Sequence, residues 1–143
     1  MIRDITDLII HKLKEKNIDT QEYLGQLSNQ EEPDLIKTKL PISFIDYTGD
    51  YVKGYDRFLR YNLYFVNISY SNNSSYRKQT QDSVIELLQN AQEALFNIVE
   101  ANIHIKQSKK IFDAKIEKGY LVVFTMQIEA QITRKETIDW IEQ

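Results

Sequence analysis

The last long stretch of the chain limits the possible folds more than any other feature. Along residues 120–133, every second side chain is apolar, and from residue 125 onwards the side chains between them are polar. The apolar set is Tyr120, Val122, Phe124, Met126, Ile128, Ala130 and Ile132, and the polar set is Thr125, Gln127, Glu129, Gln131 and Thr133. Because successive strand residues point to opposite faces, this alternation predicts one strand with a buried and a polar face. At ~3.4 Å per residue the strand is about 48 Å long, so we expect it to extend beyond its own domain.

Two other segments have the three- and four-residue spacing of apolar side chains that is typical of amphipathic helices. The first covers residues 2–16 and ends at Asn17, a residue type that readily adopts the left-handed conformation after a helix. The second covers residues 77–100. Both helices have a polar face, and we expect both to pack on the same face of a sheet.

Strands rich in β-branched and aromatic residues are predicted in the middle of the chain. One covers residues 42–47 and is stopped by the polar residues 48–50. The next covers residues 58–70 and carries apolar side chains on both faces. Either both of its faces are covered, or a bulge near Phe65 exchanges its buried side.

The remaining segments give weaker signals. Residues 18–27 are predicted to be extended around Tyr23, and residues 28–39 to form a polar loop with a short helical turn at 34–39. Two short alternating runs, 103–105 and 111–116, are either two strands or one interrupted strand. The order of elements predicts an α+β fold: a mainly antiparallel sheet of about four to five strands with two helices packed on one face.

Length and composition narrow the class of protein. A chain of 143 residues is the usual size of one domain, which we assign to residues 1–133, with 134–143 as a C-terminal extension. The absence of cysteine excludes disulfides, thiolate metal sites and cysteine nucleophiles. A net charge of −3 disfavours general nucleic-acid binding. No apolar run is long enough to cross a bilayer and no secretory leader is recognisable, so we expect a soluble, cytosolic protein without membrane contact.

The sequence lacks a convincing catalytic or metal-binding set. The two histidines, His11 and His104, have no diagnostic partner at a motif spacing, and the acids Asp46, Asp50 and Asp56 do not follow a calcium-loop pattern. The scattered glycines form no phosphate-binding loop. We therefore predict no catalytic residues, no metal site and no cofactor, and a protein that is not an enzyme.

One connection is a candidate contact surface. Residues 48–56 join two predicted strands and are expected to form the exposed tip of a hairpin. We predict that the tip contacts a neighbouring subunit or another protein, because tyrosine offers a large contact area with few rotamers to order. The alternative is a mobile loop whose tyrosines lie on their own sheet. The residues of this predicted interface are Asp50, Tyr51, Lys53, Tyr55 and Asp56.

Residues 1 to about 133 together resemble the tail-terminator proteins of Mu-like and other long-tailed phages and prophages. The resemblance lies in the order and spacing of the opening helix 2–13, the segment Tyr23-Leu24-Gly25-Gln26-Leu27, the Leu40-Pro41-Ile42 start of the first long strand and a basic residue, Arg57 or Arg60, before the strand that leads to Tyr70. It continues through a helix with Leu87, Leu88, Ala91 and Leu95 and a Gly119-Tyr120 turn into the last strand. The extension 134–143, with Trp140, departs from the family pattern.

The resemblance implies a structural protein that caps the tail tube as a homohexameric ring and joins the tail to head–neck proteins. It further implies contact with tail-tube protein and with the tail sheath where one exists, a lumen through which DNA passes, and a location in the host cytoplasm during assembly and then at the tail–neck junction of the virion. A head–tail connector or neck protein of the same machine is an alternative. So is a cellular ligand-binding or regulatory α+β domain, whose ligand would meet the polar face of the last strand at Gln127, Glu129 and Gln131.

Overall fold

A computed structural model describes residues 2–29, 40–70, 73–116 and 119–133. The elements in chain order are the helix α1 (Ile2–Glu15), the strands β1 (Thr20–Glu22), β2 (Ile42–Lys53) and β3 (Asp56–Ser69), the helix α2 (Ser74–Phe96), and the strands β4 (Asn102–Ile116) and β5 (Gly119–Thr133). The expected helical turn at 34–39 and the extension 134–143 lie outside the described residues.

The strands form one sheet in the order β1-β2-β3-β5-β4. The short β1 pairs with β2 in parallel, and the other three pairings are antiparallel. The hairpin of β2 and β3 and the hairpin of β4 and β5 therefore meet at the β3–β5 pairing. The predicted α+β class, with a mainly antiparallel sheet, is confirmed.

Both helices pack on the same face of the sheet, which we call the helical face. Their buried apolar side chains join alternate residues of β3 and β5 in one core. The core residues of the two strands are Leu59, Tyr61, Leu63, Phe65, Val122, Met126, Ile128, Ala130 and Ile132. The predicted buried face of β5 is thus the face that meets the helices, although Phe124 is only half-buried at its border.

The opposite face of the sheet, the open face, has an apolar half and a polar half. In the apolar half, Phe44, Val66, Leu121 and Val123 form a second buried cluster, against which Tyr23 packs. Both faces of β3 are therefore covered here, and β3 pairs with β5 without any register shift from Asp56 to Ser69. Of the two alternatives for this strand, the covered one is correct and the bulge near Phe65 is absent.

The expected end of the first long strand at residues 48–50 is wrong. β2 continues to Lys53, and its register against β3 shifts between Tyr47 and Gly49, which leaves Thr48 in a β-bulge. The turn lies further on, at Gly54 and Tyr55, between the paired residues Lys53 and Asp56. Gly54 has a φ of 64°, and the favoured two-residue hairpin turns need a positive φ at their first residue.

β4 is longer than expected, and β5 is paired with a strand on each side. Residues 102–116 form one strand with two register shifts, so the two short alternating runs belong to a single bulged β4. β5 has partners on both sides, from Ser69 to Asp56 of β3 and from Ile116 to Asn102 of β4. The expectation that β5 extends beyond its domain is therefore wrong, because its neighbours are equally long.

The helix boundaries differ slightly from the expected ones. Asn17 has the expected left-handed conformation, with a φ of 61°. α2 begins three residues earlier than expected because the Asn73 side chain accepts a hydrogen bond from the Ser75 backbone N–H, which caps the helix. It ends at Phe96, and Ile98, which follows it, is buried without being helical.

Candidate functional site

The five residues of the predicted interface do not lie together on a loop. Asp50, Tyr51 and Lys53 belong to β2, Asp56 begins β3, and only Tyr55 lies in the turn. Because neighbouring strand residues point to opposite faces, Asp50 pairs with Arg57 on the helical face, whereas Tyr51 points to the open face. The connection 48–56 is thus mostly paired strand, which corrects the prediction of a polar loop.

Tyr51 has contacts within its own sheet. Its ring stacks on Phe58 of the neighbouring strand, with a centroid distance of 4.9 Å and an interplanar angle of 6°. Its hydroxyl donates a hydrogen bond of 3.1 Å to Oε1 of Glu129. Tyr51 therefore belongs to a group of side chains on the polar half of the open face rather than to an exposed tip.

Glu129 is the centre of that group. Its side chain is 7% exposed, and its Oε2 accepts a hydrogen bond of 3.2 Å from Nε of Arg60. Its Oε1 also lies 3.3 Å from Nζ of Lys106. Burial acts to raise the pKa of Glu129, but Tyr51, Arg60 and Lys106 together outweigh it and hold the pKa below its ordinary value. Glu129 is therefore ionised at neutral pH.

A depression of about 520 Å³ lies over this group. Its polar lining includes Asn62 and Gln127 in addition to the partners of Glu129. The two cations at its border remain more than half exposed, at 58% for Arg60 and 53% for Lys106. We call this depression, with Tyr51, Arg60, Lys106 and Glu129, the Glu129 basin.

A second group of hydrogen-bonded side chains lies beside the basin. The Gln131 side chain donates a 2.9 Å hydrogen bond to Oδ2 of Asp56, and its oxygen lies 2.7 Å from Nε2 of His104. His104 is thus engaged with an amide rather than with a carboxylate or a nucleophile. His11 lies far along the chain on the exposed side of α1, beside Glu15. The two histidines do not share a site.

Part of this site is predictable from the sequence. Glu129 lies on the predicted polar face of the last strand, Tyr51 belongs to the predicted interface, and Arg60 is named only in the family resemblance. Lys106 is not predicted, and it lies in the bulge where the register of β4 shifts between Ile105 and Gln107. The only sign of irregular pairing in the sequence is the polar segment between the two short alternating runs, 103–105 and 111–116.

Two edges of the sheet have no neighbouring strand among the described residues. β4 is the last strand on one side, and on the other side β1 covers β2 only as far as Ile45. Near the end of this open edge of β2, Val52 is 62% exposed and Tyr55 is 79% exposed. We call the segment Val52–Asp56 the hairpin end.

No protein-family model and no curated protein matches the sequence. Neither described helix has both the length and the apolar character needed to cross a membrane. Among residues 2–29, 40–70, 73–116 and 119–133, no three His, Asp or Glu side chains are grouped so that they could hold a metal ion.

Proposed function

We propose that this chain is a structural subunit of a long-tailed phage or prophage, and that it caps the tail tube in the manner of a tail terminator. Six copies form a ring that stacks on the last ring of tail-tube protein, ends polymerisation and offers a surface to the head–neck proteins. The ring assembles in the host cytoplasm and ends at the tail–neck junction of the virion.

The observation that carries the proposal is the exposure of the hairpin end on an open strand edge. Val52 and Tyr55 are large apolar side chains that their own subunit leaves in water. Beyond Ile45, the outer side of β2 has no strand partner among the described residues. Exposed apolar side chains beside free backbone groups are typical of surfaces that other proteins cover.

The bulges of β2 and β4 limit how the edges of the sheet can pair with another copy. In each bulge an extra residue interrupts the ladder, and the exposed outer side of β4 carries several lysines. Such features prevent two copies from joining edge to edge in an uncontrolled stack. A subunit of a closed ring needs that protection, because it must bind a set number of neighbours.

Charge and fold agree with the same function. The net charge of −3 suits a ring through which DNA passes, since a protein with a negative net charge does not attract phosphate. The described elements also follow the order that the resemblance implies: an opening helix, a hairpin, a long helix and a final long strand.

A pair of tyrosine variants tests the proposal. Tyr55→Ser removes the exposed ring at the hairpin end, and Tyr70→Ser removes a ring of similar exposure, 71%, just after the far end of β3. Both variants are expected to melt like the parent protein because neither side chain is buried. We expect Tyr55→Ser alone to reduce ring formation, measured by mass photometry and negative-stain microscopy of concentrated protein.

Two outcomes would count against the proposal. Rings of normal yield from Tyr55→Ser would show that the hairpin end is not the contact. Equal losses from Tyr55→Ser and Tyr70→Ser would show a general effect of surface polarity. In phage-producing cells, tails of uncontrolled length with Tyr55→Ser indicate a terminator, whereas tails of normal length that fail to join heads indicate a neck protein.

A further inference from the structure

We propose that the Glu129 basin is a binding site for a small-molecule carboxylate. The inference is independent of ring formation, because the basin lies on the open face and not at the hairpin end. It follows from how one buried acid holds two exposed cations.

The basin residues carry an excess of positive charge. Arg60 and Lys106 contribute two positive charges, and Glu129 contributes one negative charge. The group therefore carries one unit of positive charge in excess, on a face where the cations are already partly removed from water. One carboxylate neutralises it.

Glu129 does not use all the donor groups of Arg60 and Lys106. Within the described part of the chain, the side chain of Arg60 contacts Glu129 through Nε, and its guanidinium carbon lies 4.5 Å from the centroid of the Tyr51 ring. The terminal nitrogens of Arg60 are left for a ligand. Lys106 contacts Oε1 of Glu129 through one of three possible donor directions. Both cations are thus fixed by one anion and retain donors for a second.

The basin residues are held in place by the sheet and by Tyr51. Glu129 is held by β5, Arg60 by the adjacent β3, and Lys106 by β4 on the other side, so three paired strands fix the site. Tyr51 further restrains Arg60 through its ring and Glu129 through its hydroxyl. A planar guanidinium matches a carboxylate by two parallel hydrogen bonds, and a rigid site loses less entropy on binding.

The size and lining of the basin suit a small molecule. A volume of about 520 Å³ lies within the usual range for small-molecule sites. Asn62 and Gln127 add amide groups to the lining, which suit a ligand with polar atoms beyond its carboxylate. The lining supplies a charge excess of one, which favours a carboxylate over a dianionic phosphate.

The test is a titration followed by ¹H–¹⁵N NMR on the full chain, including the Arg60 side-chain Nε signal. Glutaramate, the singly charged monoamide of glutaric acid, is the probe, glutaramide is the matched uncharged control, and inorganic phosphate is the second anion. We expect saturable shifts at the basin with glutaramate, a dissociation constant on the order of 1 mM, and no saturable shift with glutaramide.

Three variants separate the site from general attraction of anions. Arg60→Gln and Lys106→Gln each remove one basin charge, and we expect each to weaken glutaramate binding at least about tenfold. Lys115→Gln removes the same charge at an exposed position of β4 outside the basin, and it should leave the affinity unchanged. If Arg60→Gln does not fold, Lys106→Gln still decides.

Several results would overturn the inference. Linear shifts without saturation, or equal shifts with glutaramide, would show that no carboxylate site exists. An equal loss of affinity in Lys115→Gln would indicate unspecific charge attraction. Phosphate binding as tight as glutaramate binding would contradict the assignment to a carboxylate.

Discussion

The contribution of Glu129 to stability should depend on pH in a direction that the structure fixes. Tyr51, Arg60 and Lys106 hold the pKa of Glu129 below its ordinary value, so the folded state binds the proton less tightly than the unfolded state. The ionised form therefore stabilises the fold above the ordinary pKa, and this stabilisation is lost as the pH falls through the folded pKa. Glu129→Gln removes this dependence, because its amide does not titrate.

The size of the effect follows from the contacts. Arg60 and Lys106 are more than half exposed, so each ion pair is worth about 0.2–1 kcal/mol despite the buried acid. Glutamine keeps the volume of the side chain and one oxygen for Tyr51, but it places an NH₂ group among donors. We expect Glu129→Gln to lower the free energy of unfolding by about 1–2 kcal/mol near pH 7.

Urea denaturation near pH 7 and at about pH 3 measures the effect. We expect the loss to be smaller at acid pH than at neutral pH, because the parent protein loses this stabilisation as the pH falls through the lowered pKa of Glu129. Glu86→Gln, which removes the same charge from an exposed position of α2, should change stability by less than about 0.5 kcal/mol at either pH. A loss that is absent near pH 7, or the same at both pH values, would refute the assigned role of Glu129.

Further variants test the fold. Phe65→Ala should cost about 3–5 kcal/mol in urea denaturation because Phe65 is fully buried, and the half-buried Phe124→Ala should cost clearly less; the reverse order would contradict the core. Gly119→Ala should lower the melting temperature, since the added Cβ would collide with the backbone carbonyl of Ser69, and an unchanged melting temperature would contradict that close approach. Asn73→Ala should cost about 1 kcal/mol through loss of the helix cap, and no loss would show that the cap is dispensable.

Periodicity predicted the parts of this fold that depend on a repeating pattern of burial. Both helices and the alternation of β5 could be predicted because a buried stripe or face repeats along the chain. The interruptions could not: Thr48 and Lys106 look like ordinary polar residues, and only the partner strand shows that each lies in a bulge. A polar run within a long edge strand therefore looks like a turn.

The candidate site was only partly predictable for the same reason. Glu129 and Arg60 lie in different strands, and their contact depends on the register of β3 against β5. The exposed position predicted for Tyr51 is wrong because the hairpin turn lies at Gly54 and Tyr55 and not directly after the expected strand end at residues 48–50. The exposure of Tyr55, by contrast, was predicted from its polar surroundings and is confirmed at 79%.

The central claim is that this chain assembles as a ring through its hairpin end. The most direct measurement is negative-stain microscopy of the concentrated, purified protein, with mass photometry of the same sample after mild cross-linking. The account predicts closed rings with the mass of six copies, and their loss in Tyr55→Ser but not in Tyr70→Ser. Particles with the mass of a single copy at every concentration, and no rings in the images, would contradict it.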